Sequence, residues 1–549
     1  MTESGVPEFP ETLRLPDPRV PLPAPPGGAS PGLPSGPLES TFGTLVGSRT
    51  RWNLTDGSQS QIRRRLAQAR RLVLASQIDE ALGAIERIEL QLDDVPPAAA
   101  QRFRAAAQLL RAVALAFQDN SLGALSIALS HLKGNCADWD QHTATTLCRL
   151  GCWQLGEFDA FYSLPRPQPR PQGSKSRAIS AVLDLSIEAA AALGQLRILT
   201  AKRLAFDAST IAEAAPGKLG GLSALPACLT AQVLYQEGLL DQADKILRDR
   251  LPLINAAGSV ECALRAYLIL ARIARHRMQH DFAAMLHREA EALGVRRGWP
   301  RLVAACIAER TSLLLREGRL KEARLCFERL DRHAEMHRLG SGHSDAEIAR
   351  YRTLTRWRVS WAEAPSVEAV AALRQVYRHA IEKRGLYSGC RLAVELAEML
   401  AVTGETEEAD ALMLHTIQVG AAAGLYQVFL EGGEGSGMLL RRAHARCGAL
   451  RSADSEVLLP ILGSLLSQWE ACRAKRRSVQ PVNRGGDTLS ARECEILGLI
   501  GEGFPNKRIA LVLAISPETV KSHVKRIFLK LAAGTRAEAV SRAKSLGLL

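Results

Sequence analysis

From Trp52 to Gly448 one short pattern recurs, and this recurrence restricts the fold more than any other feature of the 549 residues. A small or turn-forming residue closes an apolar helical stretch, and five positions later a small or apolar residue sits inside the next. The pattern is clearest at Gly238/Ala243, Met278/Ala283 and Gly318/Ala323, each 40 residues apart, and it returns at Ala364/Ala369 and Gly404/Ala409. Fainter copies stand at Ser76/Ala81, Asp119/Ala124, Gly156/Phe161 and Gly194/Leu199. Stretches such as AQVLYQEG and ERTSLLLREG precede the turns, and amphipathic helices follow them. An alanine at the second position lets two antiparallel helices approach closely. One such hairpin cannot bury its apolar face alone, so the copies must stack into a solenoid with a continuous core. The sequence therefore predicts an all-α, right-handed array of tetratricopeptide-like hairpins, about nine in number, with a concave face.

Composition agrees with this reading. Aromatic residues make up only 5% of the chain, while alanine, leucine, arginine and glutamate dominate, which favours helix over sheet. No run of 18 apolar residues and no charged-then-apolar leader occurs, so a soluble, cytoplasmic protein without membrane contact is expected. None of the 11 cysteines falls in a C-x-x-C pair, and Cys228, Cys262, Cys306 and Cys326 lie inside apolar helical patterns, as buried free thiols do. The net charge of +13 suits a polyanionic partner, but the excess is spread along the chain and so supplies general steering.

Four regions follow. Residues 1–50 form a proline-rich tail, with 11 of the 26 prolines in the first 40 positions, and are expected to be disordered. Residues 51–450 hold the array, interrupted by proline-rich LPRPQPRPQG from Leu164 and by a loop, GSGHSDAE, from Gly340 to Glu347. Residues 451–486 hold a helix from about Asp454 to Arg477 and a linker from Ser478 to Gly486. Residues 487–549 form a separate four-helix module.

That last module is legible residue by residue. Ser490-Ala-Arg-Glu493 is a capping box for a helix with Ile496, Leu497 and Ile500 on one face, ended by Gly501 and Gly503. Pro505 fits the start of a second helix, Asn506 to Leu513, and Ser516-Pro517 opens a third. In the third helix Val520, Val524, Ile527 and Leu531 face inward, which turns Lys521, Ser522, Lys525 and Leu529 outward. Two lysines one turn apart near a helix N-terminus suit phosphates and guanine edges. Thr535-Arg-Ala-Glu538 opens a last helix with Ala539, Val540 and Ala543 as its apolar stripe.

The segments LSARECEIL, GEGFPNKRIA, ISPETVKSHVKRI and TRAEAV resemble the LuxR-type helix-turn-helix domain over nearly all of residues 487–549. The resemblance implies that Lys521, Ser522 and Lys525 read bases or adjacent phosphates of double-stranded DNA, with Lys507 on the backbone and Thr519 and Arg526 completing the set. It also implies that the helix from Thr535, with Ala539, Val540 and Ala543, pairs two copies on DNA. Arg508 stands where glutamate is usual and Pro505 where serine is commonest; both keep or add affinity for phosphate. The central stretch, with YQEGLLDQADKIL and REGRLKEARL, resembles the repeats of MalT-like regulators, and GLYQVFLEGGEG resembles the segment after them, with Glu431 where aspartate is usual. In that family the repeats receive an inducer or a partner protein. The large members carry an ATPase, but this chain has no G-x-x-x-x-G-K-[ST], and a nucleotide switch is not carried over.

Other chemistry finds no seat. The pairs His276/His280 and His333/His337 have the i, i+4 spacing zinc can use, but lack the H-E-x-x-H order and a third ligand. No G-x-S-x-G and no Gly-rich dinucleotide turn occurs, and no β/α alternation suggests a phosphoacceptor domain. Neither an enzyme nor a cofactor is expected. Trp299, Arg310, Tyr267 and Tyr351 are candidates to line a ligand groove. The expected function is a regulator that binds promoter DNA as a dimer while its repeats sense a small molecule or partner protein. A scaffold that uses the module only as a DNA tether is the alternative, its concave face then serving a partner or RNA polymerase.

Overall fold

The computed structural model describes residues 57–132, 138–166, 175–214, 223–337, 342–449, 453–479, 491–513, 515–531, 533 and 535–545. The proline-rich tail, most of the first interrupting loop and nearly all of the Ser478–Gly486 linker lie outside them. The described residues are helical, with no β-strand among them. They divide into two compact units, with the boundary after Cys472.

In the first unit eighteen helices form nine hairpins among the described residues. These are α1 (Gly57–Leu74) with α2 (Ile78–Glu89), α3 (Pro97–Phe117) with α4 (Ser121–Leu132), and α5 (Asp138–Leu155) with α6 (Phe158–Ser163). Next come α7 (Lys175–Gly194) with α8 (Ile198–Ala214), α9 (Ala224–Gln236) with α10 (Leu240–Ala257), and α11 (Val260–His276) with α12 (His280–Arg297). The last are α13 (Pro300–Arg316) with α14 (Leu320–Met336), α15 (His343–Glu363) with α16 (Val367–Glu382), and α17 (Leu386–Thr403) with α18 (Thr406–Ala422).

The repeating pattern has a backbone cause. Ser76, Asp119, Gly156, Leu196, Gly238, Met278, Gly318 and Gly404 all adopt positive φ, each ending the first helix of its hairpin. The next amide then donates back five residues, as Leu239 N to Leu234 O at 2.9 Å and Gln279 N to Ala274 O at 2.8 Å. This is the Schellman closure of a helix, used eight times. The residue five positions on is Ala81, Ala124, Phe161, Ala201, Ala243, Ala283, Ala323 or Ala409, and all are buried against the preceding helix.

Three expectations need correction. The fourth hairpin turns at Leu196, not Gly194, so its buried partner is Ala201; Leu199 is 82% exposed. The eighth hairpin has no left-handed turn. Ala364 is extended (φ −155°, ψ 117°) and Ser366 caps α16 by accepting the Ala369 amide at 3.2 Å, although Ala369 is buried as expected. Finally, α15 begins at His343, inside the stretch read as a loop, with the Gly342 amide donating to Asp345 Oδ2 at 3.2 Å.

The array also closes on itself. Ser76 O of hairpin one accepts from Arg297 of hairpin six at 2.9 Å. Asp119 of hairpin two pairs with Arg301 of hairpin seven at 2.7 Å, and Glu157 of hairpin three pairs with Lys383 at the end of hairpin eight at 2.9 Å. Each clasp reaches five hairpins onward. Beyond the ninth hairpin, α19 (Gln427–Leu430) returns to α9, where Tyr426 N donates to Gln236 O at 2.9 Å. Then α20 (Glu434–Ala449) and α21 (Ala453–Val479) cover the open end. Gly437 permits that packing, since a Cβ there would meet the Trp469 ring at 2.3 Å.

The second unit holds α22 (Ala491–Gly501), α23 (Asn506–Val512), α24 (Pro517–Lys530) and α25 (Arg536–Ser545) around a core of its own.

Candidate nucleic-acid interface and repeat cavity

The helix-turn-helix is built as its sequence requires. Ile496, Leu497 and Ile500 of α22, Ile509 and Ala510 of α23, Val520 and Ile527 of α24, and Leu531 just past its end form one buried cluster, with Val524 half-buried against it. Gly503 takes φ +86° after α22, Pro505 is the N-cap of α23, and Ser516 Oγ accepts the Thr519 amide at 3.0 Å to cap α24. Thr535 Oγ1 accepts the Glu538 amide at 3.2 Å at the start of α25. Ser490, the first capping residue predicted, lies outside the described residues, as does the Leu529 side chain.

With Val520 and Ile527 fixed inward, the 3.6-residue period turns Thr519, Lys521, Ser522, Lys525 and Arg526 outward, and all five are exposed. Lys507 is exposed on α23. Three of these groups are occupied locally, the Thr519 hydroxyl by Ser516 Oγ at 2.8 Å. Lys521 Nζ pairs with Glu518 Oε1 at 2.8 Å, and the Ser522 hydroxyl donates to Glu518 O at 3.1 Å. Lys507, Lys525 and Arg526 have no carboxylate partner among the described residues. Arg508, read from sequence as a phosphate ligand, stacks its guanidinium 4.8 Å from the Phe504 ring centroid.

The pairing stripe is where the structure corrects the sequence. Ala539 and Ala543 are fully buried in the module's own core, and Val540 is half-buried against it. The alanines hold α25 to α22 and α24, so they are unavailable to a second copy. Among the positions of α25 and its start whose burial is described, Thr535, Ala537 and Ser541 are exposed. Sequence reasoning also missed three bracing arginines. Arg492 Nη2 donates to Leu513 O at 2.7 Å, Arg536 Nη1 to Asn506 Oδ1 at 3.0 Å, and Arg542 Nη1 to Leu531 O at 2.8 Å. Two of them sit inside the predicted capping boxes, where only the flanking residues drew notice.

In the array, the inner walls of α9, α11, α13, α15 and α17 and the Val428–Gly435 segment enclose a cavity of about 620 Å³. Of the four groove residues expected, only Tyr351 lines it. Trp299 is buried, its Nε1 donating to Phe117 O at 2.9 Å, and Tyr267 is buried with its hydroxyl on Asn255 at 2.9 Å. Arg310 is not part of the lining. Glu431, singled out from sequence only as a departure from aspartate, lies in the wall. It accepts from the Tyr235 hydroxyl and stands 3.8 Å from Arg391. Burial alone would push its carboxyl up, but Arg272 and Arg391 hold it at about 2.

The histidine pairs also resolve. His276 ends α11 and His280 begins α12, with the Met278 turn between them, so they do not share a helix face. His333 Nε2 bonds Pro300 O at 2.9 Å, and its ring centroid lies 4.8 Å from that of His337. No cluster of three or more metal-ligating side chains occurs among the described residues. Likewise, no helix among them is long and apolar enough to cross a membrane.

Residues 487–543 match the model for bacterial regulatory proteins of the luxR family. The chain is 41% identical over 101 residues to the nitrate/nitrite response regulator protein NarL of Escherichia coli (strain K12), covering 18% of this chain and 42% of NarL. It is 41% identical over 58 residues to the HTH-type transcriptional regulator MalT of Serratia proteamaculans (strain 568), covering 11% of this chain and 6% of MalT. It thus spans well under two thirds of either relative. A crystal structure of Rap protein complexed with competence and sporulation factor aligns with 66% of this chain and 99% of its own, at TM-score 0.48 and 13% identity. The C-terminal module is a luxR-family helix-turn-helix domain following a helical-repeat body.

Proposed function

We propose that the protein is a cytoplasmic, DNA-binding transcriptional regulator. Its C-terminal module reads promoter DNA as a dimer, and its repeats receive a small-molecule inducer or a protein partner. The observation that carries this reading is the outer face of α24, where Lys521, Ser522, Lys525 and Arg526 stand exposed on a helix anchored by Val520 and Ile527. A helix of this kind, presented by a preceding helix and a short turn, is what enters a major groove. The luxR-family match over residues 487–543 supports the same reading. It requires no chemical step. Thr519 and Lys507 flank the face and serve phosphate contacts, which position a protein without specifying sequence.

Genomic mapping of bound sites, followed by gel shifts on a recovered site and on random duplex at two salt concentrations, tests it. A regulator binds the recovered site at least about a thousandfold more tightly than random DNA. Equal affinity at matched salt would leave only a tether on a scaffold. Signal transfer is tested by comparing operator binding by residues 473–549 with that of the full chain. An array that restrains the module lowers the full chain's affinity about 5–150-fold. Equal or tighter binding by the full chain rejects restraint and favours recruitment of a partner by the array.

A further inference from the structure

The cavity wall is charged, and most of the charges answer one another. Arg272 pairs with Glu309, Arg358 with Glu395 at 2.6 Å, and Arg391 faces Glu431 at 3.8 Å. Glu398 is committed elsewhere, its Oε1 accepting the Gly433 amide at 2.8 Å and the Ser436 amide at 2.7 Å. Two guanidiniums are left over. Arg275, near the end of α11, and Arg316, at the end of α13, line the same cavity, and neither has a carboxylate at ion-pair distance among the described residues. Arg316 spends one donor on the main-chain oxygen of Glu431. The protein crowded around Arg316, whose side chain stays open to solvent, and, next, the charge of Arg275 lower its guanidinium from the ordinary arginine value.

Two like charges facing one cavity cost free energy unless an anion comes between them. Arg272 adds an independent sign, since its Nε is buried with no hydrogen-bond partner. The opposite requirement is met by α15. Trp357 and Trp361, one helical turn apart, both line the cavity and are half-buried, giving flat apolar surface. A volume of about 620 Å³ is that of a site for one small molecule.

We propose that this cavity binds a small organic anion, a carboxylate or phosphate ester on a flat apolar body. Arg275 and Arg316 grip the anionic group, and Trp357 and Trp361 cover the body. The proposal names the ligand class for the inducer in the functional reading above and rests on that reading only for its consequence at DNA. Guanidinium forks suit both acids because each offers paired oxygens.

The test titrates the full chain with 1-naphthoate, 1-naphthyl phosphate and neutral 1-naphthamide, followed by calorimetry and tryptophan fluorescence. The anions should bind at least about tenfold more tightly than the amide, the scale of a hydrogen bond to a charged group. Which anion binds more tightly tells a carboxylate source from a phosphate source. The double variant Arg275→Gln/Arg316→Gln should bring both anions down to the amide's level and leave the amide unchanged. If that variant melts early, Arg316→Gln alone should still lower anion affinity selectively. Amide binding as tight as the anions, anion binding that survives the substitutions, or no saturation by about 10 mM anion would each overturn the proposal. Gel shifts on the same preparations separate the two readings. Operator binding without anion binding rejects the site alone, and anion binding without operator binding rejects the regulator alone.

Discussion

Arg301 donates two hydrogen bonds to Asp119, at 2.8 and 2.7 Å, across 182 residues of sequence. Both side chains are almost wholly buried, and Glu261 accepts a third bond from the same guanidinium at 2.7 Å. Asp119 is also the left-handed residue that turns hairpin two (φ 65°). One aspartate thus ends a helix and fastens its hairpin to another five units away. The substitution Asp119→Ala should remove about 3 kcal/mol of stability, because it takes the two-bond partner from a buried guanidinium and leaves Glu261 as its one carboxylate among the described residues. Urea unfolding measures this, and a loss below about 1 kcal/mol, the scale of an exposed pair, would mean that the clasp is a surface contact.

Acid should weaken the array in two stages. Burial pulls His287 down to about 4, so the folded state keeps it neutral while the unfolded state protonates near 6.5. That contribution is complete above about pH 6.5 and is lost as the pH falls through 4. Glu431 and Glu347 are held at about 2, against the effect of burial, by Arg272 with Arg391 and by Arg350. Their contribution is present above about pH 4.3 and is lost as the pH falls toward 2. Stability measured against pH should therefore decline below about 6.5 and steepen below about 4.3. His287→Gln should flatten the upper limb only; a curve level from pH 7 to 4 in the parent chain contradicts the assignment.

The turn positions predict opposite effects from one substitution. Met278 holds φ 61° while half-exposed, so Met278→Gly should stabilise the chain by about 1 kcal/mol through relief of left-handed strain. Leu196 holds φ 60° but is buried, so Leu196→Gly should cost about 2 kcal/mol or more through lost packing. Thermal melts of the two variants moving in the same direction would refute the argument.

On DNA, Lys521→Ala or Lys525→Ala should cost about 1–3 kcal/mol on the cognate site. Lys507→Ala should weaken all duplexes alike and lower the salt slope by about one. Lys521 must leave Glu518 to reach a base, so Glu518→Gln should tighten binding modestly. Equal losses on cognate and random duplex for Lys521→Ala and Lys525→Ala would remove base reading from α24.

Ala539→Glu should unfold the module, since it forces a charge into the core. Ser541→Glu, on the exposed side of α25, should leave the module folded but weaken cooperative binding to paired half-sites. Circular dichroism and gel shifts on single and paired half-sites distinguish these effects. A Ser541→Glu protein that still binds paired sites cooperatively places the pairing surface elsewhere.

The repeat and α24 were legible because each rests on local periodicity. A buried small residue five positions after a helix end, or Val520 with Ile527, is visible without knowing what packs against it. Failures came where partners are remote or backbone geometry is unusual. Leu196 adopts a conformation that glycine favours, so Gly194 drew the turn two residues early. Trp299 and Tyr267 look like ligand aromatics until their distant partners, Phe117 O and Asn255, are known. Ala539 and Ala543 formed an apolar stripe whose direction only the packing of α22 and α24 decides. The clasps from Ser76, Asp119 and Glu157 join residues whose separation no local pattern announces.

Those clasps make hairpin number a matter of phase. An open solenoid gains or loses a unit with little consequence, because each unit meets only its neighbours. Here an added hairpin between Glu157 and Arg297 would carry every later partner one step past its mate, and Arg301 would arrive where no Asp119 waits. The array can vary in its side chains, but the step from each partner to its mate is fixed at five units.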